Sequence, residues 1–360
     1  MKILLGYSYY KNPVDVSFQI KQWIDRLNAA GFDVEPYPLT INPPAAPVYW
    51  QEMDKRWKLG DKELLGSYEK LAIKAQEYDV FLNASGINVH PDFISQLPTF
   101  NVFGCFDDPE ASEILSKPVA PAYDLCLVAN IAEVETYLTW GCKFAKFWPA
   151  GFLADQYDPT LTEEKIMTAP RTVDISLLCE KKYNLNRISR LNKYHQAFPQ
   201  GKYYGEGWNT GFLKEEDKIP LYLNTKIGPN FHNSTGPINY RVYTLPANGV
   251  MQICDNKSHL GEIFELDKEV VGFDTVEEAI ELTKYYLHHE EERKAIALAG
   301  WKRAIKDYNE EAVFGLVVKY VNEIIHTKEP KSNQSLAFLK KQRSKTWPSR
   351  LKYVIENKFS

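Results

Sequence analysis

The chain has 360 residues, 44% of them hydrophobic and 25% charged, with a formal net charge of −4. That length supports a substantial core and exceeds what one domain usually holds, so two domains are expected. The mildly acidic balance excludes a molecule built as a whole to bind polyanions.

Residues 2–7, KILLGY, read as a buried strand ending at Gly6. The opening MKILLGYSYY turns polar too soon for a signal peptide, and no apolar run approaches the ~20 residues that cross a bilayer. A cytoplasmic location is therefore expected. An amphipathic helix follows from about Ser17 to Ala30; Gly31 stops it, and DVEPYPL reads as a second strand. The first series continues with a helix near 62–76, strand YDVFLNAS, a short helix after Pro91, and strands TFNVFGCF and YDLCLVAN. A helix over 131–140 ends at Gly141, and KFAKFWPAG holds a last strand.

GFLADQYDPTLTEEK is polar and irregular, which sets a domain boundary near residue 158. The second series begins with strand TVDISLLC, a helix near 186–198, and a strand and turn in KYYGEGW. KIGPNFHNS is a strand and loop, followed by a helix over 238–247 and strand VMQICD. Charged amphipathic helices are predicted at 276–288, 290–306 and 310–326. Strand and helix alternate throughout, so the fold class is α/β, with two Rossmann-like parallel-sheet domains over 1–158 and 159–327. From Lys328 to residue 360 the composition is basic, Lys340, Lys341 and Arg343 among its cations. A solvated helical tail and a contact with an anionic or membrane surface both fit that segment.

Cys105, Cys126, Cys142, Cys179 and Cys254 lie far apart with no CxxC pair, and several sit in apolar runs, so they read as buried reduced thiols. The one adjacent histidine pair, His288-His289, falls on a charged helix, and no metal site is predicted. The 22 Tyr and 8 Trp suit sugar rings and bases but serve equally as core, so they decide nothing alone.

In a parallel sheet, ligands bind beyond the carboxyl ends of the strands. The first domain's strand-end loops hold Gly6-Tyr7-Ser8, Ser85-Gly86 with His90, and Asp107-Asp108-Pro109-Glu110. The second domain's hold Glu180-Lys181-Lys182, Gly205-Glu206-Gly207-Trp208 and Asn233-Ser234-Thr235-Gly236. In the last loop Gly236 would admit close approach to the backbone, Pro237 suits a first helical turn, and Arg241 can bond phosphate. Unpaired amides and dipole at that helix start would favour a diphosphate; an ordinary Ser/Thr cap is the competing reading. Asp107 or Asp108 could act as general base toward a hydroxyl, or the pair could cap the following segment, EASEIL. His90 is a further polar candidate, against the common case of a hydrogen-bonded structural histidine. No GxxxxGK[ST], GxGxxG or GxSxG pattern opens a phosphate loop, dinucleotide fold or serine hydrolase.

As an ordered set these segments resemble the CgeB-like (spore-maturation, group 1-related) GT-B glycosyltransferases. The likeness is carried by Asn230, Asn239-Tyr240-Arg241, Tyr243, Ala247-Asn248-Gly249 and VMQICD ending at Asp255, then by LGEIFELDKEVVGFDT and the helices after it. FDDPE, the WGC run at 140–142, WPAGFLADQYDP, DISLLCEKK with Arg187, and YYGEGW extend it over most of residues 1–310. Two positions depart from the family: Thr244 stands where relatives place a ribose-binding glutamate, and Cys179-Glu180 where a glycine is frequent.

The resemblance implies transfer of a sugar from a nucleotide-diphosphate donor to a hydroxyl acceptor: a glycan, a lipid-linked intermediate or a polymer, with a nucleic acid acceptor still open. On it, Lys181 and Arg187 would reach the diphosphate, and Ser234, Thr235, Gly236 and Arg241 would hold phosphate and sugar. Gly205 and Trp208 would border the base, and Asn230, Asn239 and Thr244 would complete the donor side. Gly6, His90, Asp107 and Asp108 would lie on the acceptor side. Neither metal nor cofactor is required, and the C-terminal segment crosses back to the first domain. A sugar-nucleotide epimerase and a non-catalytic scaffold, the latter favoured by Thr244, remain alternatives.

Overall fold

The computed structural model describes residues 1–7, 13–39, 49–84, 89–182, 184–236, 239–328 and 334–344. Ser8, Ser85, Gly86, Pro237 and most of the basic C-terminal segment lie outside the described residues. The chain divides into two units. Unit 1 takes Met1–Ala129, Glu133–Trp148 and the described residues from Phe314 on; unit 2 takes Asn130–Ala132 and Pro149–Val313.

Unit 1 is built on six strands: β1 Ile3–Tyr7, β2 Val34–Pro38, β3 Val80–Asn83, β4 Phe100–Cys105, β5 Leu125–Val128 and β6 Ala145–Phe147. All pair in parallel in the order β2-β1-β3-β4-β5-β6. β1, β3, β4 and β5 are buried at every residue, which explains why they read as unbroken apolar runs and not as alternating ones. Tyr68, Phe81, Phe93, Phe103, Tyr123 and Tyr137 fill the core. Late residues finish it. Phe314 meets Trp23 and Phe32 edge-on at 6.0 and 5.1 Å, Lys328 Nζ bonds Asp124 at 2.7 Å, and Leu339 is fully buried in the cluster. Gln342 reaches the Trp57 carbonyl at 3.3 Å, and Arg343 pairs with Glu69 at 2.8 Å.

Unit 2 carries β7 Val173–Leu178, β8 Lys202–Tyr204, β9 Thr225–Asn230, β10 Met251–Cys254 and β11 Val271–Gly272, parallel in the order β11-β10-β9-β7-β8. Helices Leu185–Ala197, Val276–His288 and Glu290–Asp307 accompany the sheet, and Ile175, Leu177, Tyr194, Phe231, Ile253 and Phe273 form its core. The expected parallel α/β fold class is thus the one found.

Several elements differ from the sequence reading. Helices Trp50–Lys58, Glu163–Thr168, Glu215–Asn224 and Lys257–Leu260 were not predicted, nor was β11. Pro220 inside the third and the four-residue length of the last hid their periodicity. The stretch after Asp107 and Asp108 forms successive turns and not a regular helix, so the capping alternative has no helix to cap. No helix among the described residues is long and apolar enough to cross a membrane.

In each sheet the chain leaves its first strand to one side and returns on the other. β1 lies between β2 and β3, and β7 between β8 and β9. At such a reversal the loops part, leaving room for a ligand at the carboxyl ends.

Candidate functional site

In unit 2 the reversal separates Cys179–Lys182, after β7, from Phe231–Gly236, after β9. Arg187 ties the two together. It is 4% exposed, and its Nε donates to the Phe231 carbonyl at 2.9 Å and its Nη1 to that of Glu180 at 2.7 Å. Asn184 caps the same helix through the Arg187 amide (3.0 Å) and donates to the Asn233 carbonyl at 2.9 Å.

Asn230, the last residue of β9, exchanges amide bonds with Asn239 at 3.1 and 3.0 Å. Its Oδ1 also accepts from Arg241 Nε at 3.1 Å, while Arg241 Nη1 donates to the Leu178 carbonyl at 3.0 Å. The half-buried guanidinium therefore bridges the ends of β7 and β9, with Nη2 making no hydrogen bond to the described residues. The helix carrying it runs Arg241–Ala247, seven residues, not 238–247. Gly236 falls before its first turn, so positive charge here is supplied by the guanidinium and not by a helix dipole. Gly236 has φ +96°, and a Cβ there would stand 1.8 Å from Asn130 Oδ1; the close approach is made by that side chain. Asn130 Nδ2 in turn donates to the Thr235 carbonyl at 2.8 Å.

The YGEGW turn packs on the β7 loop. Gly205 has φ +129°, and a Cβ would lie 2.4 Å from the Cys179 carbonyl oxygen; that same oxygen accepts from Trp208 Nε1 at 2.7 Å. Trp208 is buried, and Lys181 Nζ stands 4.6 Å over its ring. Lys182 pairs with Glu206 at 2.5 Å and Glu180 at 3.0 Å, whereas Lys181 has no ion pair among the described residues. Thr244 is buried with its hydroxyl against the Tyr222 phenol.

Next to these loops lies a buried acid–imidazole pair. His232 Nδ1 is 2.6 Å from Asp255 Oδ1, and its backbone amide donates to Oδ2 at 2.9 Å. Arg190 Nη1 donates to Oδ2 at 3.0 Å and Nη2 to the His232 carbonyl at 3.1 Å. Burial alone would raise the Asp255 carboxyl; the His232 ring and the Arg190 guanidinium outweigh it and hold the group below the usual range. His232 Nε2 and Ser234 Oγ are buried without a partner among the described residues. Cys254 stands close enough to make a His–Cys–Asp trio of metal-ligand type, but both Asp255 oxygens are already bonded to His232 and Arg190.

In unit 1, β1 runs one residue past Gly6, to Tyr7, and Leu39 is so close to Gly6 that a Cβ there would lie 2.7 Å from its Cδ1. His90 is buried between the rings of Trp57 (4.6 Å) and Trp50 (5.3 Å). Its Nδ1 accepts from the Asp92 amide at 3.2 Å, capping helix Pro91–Ile94. Burial lowers its pKa against the partial opposition of Asp92 and Asp54. The two aspartates are unlike. Asp108 is 1% exposed, with one oxygen on Ser112 Oγ at 3.0 Å and the other taking the Tyr137 hydroxyl. Asp107 keeps an open face. The protein around it, then the charges of Asp108 and Glu110, raise its carboxyl above the ordinary range.

Residues 181–314 match a family described as glycosyl transferase-like. No curated protein matches the chain. Among solved structures, HepE of Anabaena in complex with UDP is similar over 90% of this chain and 100% of that one, with a TM-score of 0.58 and 13% identity. Sucrose-phosphate synthase from Thermosynechococcus elongatus covers 91% of this chain and 100% of its own, with a TM-score of 0.62 and 11% identity. A glycosyltransferase from Rickettsia africae gives 91% and 99%, a TM-score of 0.57 and 13% identity. The fold is GT-B.

The unit 2 residues singled out from the sequence gather at the reversal of this GT-B sheet: Lys181, Asn230, Ser234, Thr235, Gly236 and Asn239 lie on the loops and strand ends beside it, and Arg187 and Arg241 on the first turns of the helices that follow. Gly205, Trp208 and Thr244 sit one layer out, against the Cys179 carbonyl or Tyr222. Sequence reasoning missed Arg190, His232 and the Asp255 carboxylate. The signal was available in the pairing of parallel strands. Asn230 lies opposite Cys254, so polar residues just past the two strand ends are neighbours.

Proposed function

We propose that the chain is a metal-independent glycosyltransferase that moves a sugar from a nucleotide-diphosphate donor to a hydroxyl acceptor, and that it belongs with the CgeB-like group. The observation carrying this reading is Arg241, a guanidinium bonded to the ends of β7 and β9 with one nitrogen to spare, at the reversal of the donor-side sheet. The glycosyl transferase-like match over 181–314 and the UDP bound by the Anabaena protein of the same fold support it.

On this reading the bond from the sugar's anomeric carbon to the β-phosphate oxygen breaks, and one to the acceptor oxygen forms. The nucleoside diphosphate leaves with the bonding electrons. Arg241 Nη2 and Lys181 Nζ meet its growing negative charge with charge-assisted bonds, the work a metal does elsewhere. Arg187 positions both loops without touching substrate. His232, held by Asp255, offers Nε2 to the donor's phosphate or sugar, and the Ser234 hydroxyl does likewise. If configuration inverts, the acceptor's proton passes to Asp107, whose raised carboxyl is a better base than an ordinary aspartate. Asp108, engaged by Ser112 and Tyr137, shapes that loop. The acceptor is a glycan, a lipid-linked intermediate or a polymer, met in the cytoplasm, and the exposed Lys340 and Lys341 of the C-terminal segment are offered to an anionic surface.

The His232–Asp255 pair favours one second reading, a sugar-nucleotide epimerase, since it supplies an acid–base group within the donor unit. Incubation with UDP-sugars separates the two. Acceptor-dependent release of UDP supports transfer, and appearance of an isomeric sugar without acceptor supports epimerisation. A panel of nucleotides and nucleotide sugars that leaves the melting temperature flat would refute both and leave the scaffold alternative.

A further inference from the structure

At the amino end of the unit 2 sheet, opposite the donor loops, the chain surrounds a cavity of about 210 Å³. Arg171 lies two residues before β7, Lys226 is the second residue of β9, and Gly249 comes two before β10. Glu290, Arg293 and Lys294, from the first five residues of helix Glu290–Asp307, complete the polar lining. β7 is six residues long, so about 20 Å of strand separates this cavity from the Cys179 loop.

The charges here do not balance. Lys226 is paired with Asp174 at 2.6 Å, and Lys294 with Glu290 at 2.7 Å. Among the described residues neither guanidinium has a carboxylate to itself. Among the described residues Arg171 donates only to carbonyls, those of Tyr222 (2.8 Å), Thr225 (2.7 Å) and Asn248 (3.0 Å). Arg293, its side chain 5% exposed, makes a single long side-chain bond to the described residues, to the Tyr286 carbonyl at 3.3 Å. Its nearest carboxylate is Glu290 at 3.8 Å, already on Lys294, while Asp174 and Glu291 act on it from beyond ion-pair distance. A guanidinium offers five N–H donors, and those of Arg171 and Arg293 are only partly used by the described residues. Burial, and then repulsion from Arg293, pulls Arg171 down to about 10. Arg293 and Lys294 also occupy the helix end whose dipole disfavours cations. An anion in the cavity relieves each of these costs.

We propose that this cavity binds a small dianionic oxyanion, inorganic phosphate or the phosphate of a compact monoester, between Arg171 and Arg293. The volume is many times what one water needs and below the usual range for a drug-sized ligand. Planar guanidiniums match tetrahedral oxyanions bidentately. The site is independent of the donor loops, so it stands or falls apart from the transferase reading.

The test uses the full chain in phosphate-free buffer, titrated with inorganic phosphate by calorimetry and thermal shift. Sodium chloride at matched ionic strength is the control. Millimolar phosphate should raise the melting temperature beyond chloride, and this gain should persist in Arg241→Ala and under saturating UDP. Arg293→Gln should weaken phosphate binding at least tenfold. Should that variant fail to fold, the double variant Lys226→Gln, Lys294→Gln at the rim should weaken it several-fold. Equal shifts with chloride, loss of the phosphate effect in Arg241→Ala, or full retention in the cavity variants would overturn the proposal. Glucose 6-phosphate binding more tightly than phosphate would identify a monoester as the occupant; weaker binding would identify free phosphate.

Discussion

Replacing Arg241 by alanine tests the donor site most directly. The guanidinium makes two protein bonds, to Asn230 Oδ1 and the Leu178 carbonyl, and keeps Nη2 for a ligand. A charge-assisted bond to phosphate contributes about 1.5–3 kcal/mol, so UDP should bind roughly 10- to 150-fold more weakly. The fold should survive. Asn230 Oδ1 retains the Asn239 amide at 3.0 Å, and only the Leu178 carbonyl is orphaned, at a cost of about 1–3 kcal/mol. Thermal shift turns this into a number. At UDP equal to 100 times the wild-type Kd the nucleotide stabilises the parent by about 2.7 kcal/mol. If Kd weakens about 30-fold, the same concentration gives only about 0.9 kcal/mol. Calorimetric titration of both proteins, with circular dichroism as a check on folding, measures the two effects separately. A folded Arg241→Ala protein whose UDP affinity stays within twofold of the parent would refute the placement of the diphosphate.

The two aspartates should part company: Asp107→Asn is expected to slow turnover about 10²- to 10⁴-fold with UDP affinity unchanged, measured by initial rates. Asp108→Asn should instead lower stability in urea, since its carboxylate serves Ser112 and Tyr137. Normal turnover of Asp107→Asn would remove the base from the mechanism. Asp255 has a folded pKa depressed below its unfolded value, so its stabilisation is present above about pH 4 and lost as pH falls through the depressed value. The acid limb of a stability–pH curve should be shallower in Asp255→Asn, and an unchanged limb would contradict the His232–Arg190 account. Gly205→Ala must accommodate a Cβ 2.4 Å from the Cys179 oxygen at φ +129°. It should destabilise by more than about 1 kcal/mol in chemical denaturation, and a neutral result would mean the turn relaxes.

Much of the architecture could be read from residues alone where pattern and punctuation agreed. KILLGY became β1, and the helix predicted at 276–288 has those bounds because Thr275 accepts from the Glu278 amide at 3.2 Å where the amphipathic period begins. The reading failed where the two conflict. Helix Glu215–Asn224 contains Pro220, and β11 has two residues, too few for any period. At the site, Arg241 and Asn230 could be named because each lies inside a recognisable string. Arg187 could be named too, but not as a tie between two loops, since its partner Phe231 lies 44 residues further along the chain. The His232–Asp255 pair escaped because it exists only once β9 and β10 lie side by side.

The late completion of unit 1 has a consequence during synthesis. Its six strands have all been made by Phe147, yet Phe314, Lys328 and Leu339, which close its core, come about 170 to 190 residues afterwards. At about 5–20 residues per second a nascent chain waits roughly 10–40 s with that apolar surface bare. Unit 2, by contrast, is continuous apart from residues 130–132 and can fold in the interval. The half made first is therefore the half finished last, and a released chain ending at residue 313 would hold a complete unit 2 and an aggregation-prone remainder.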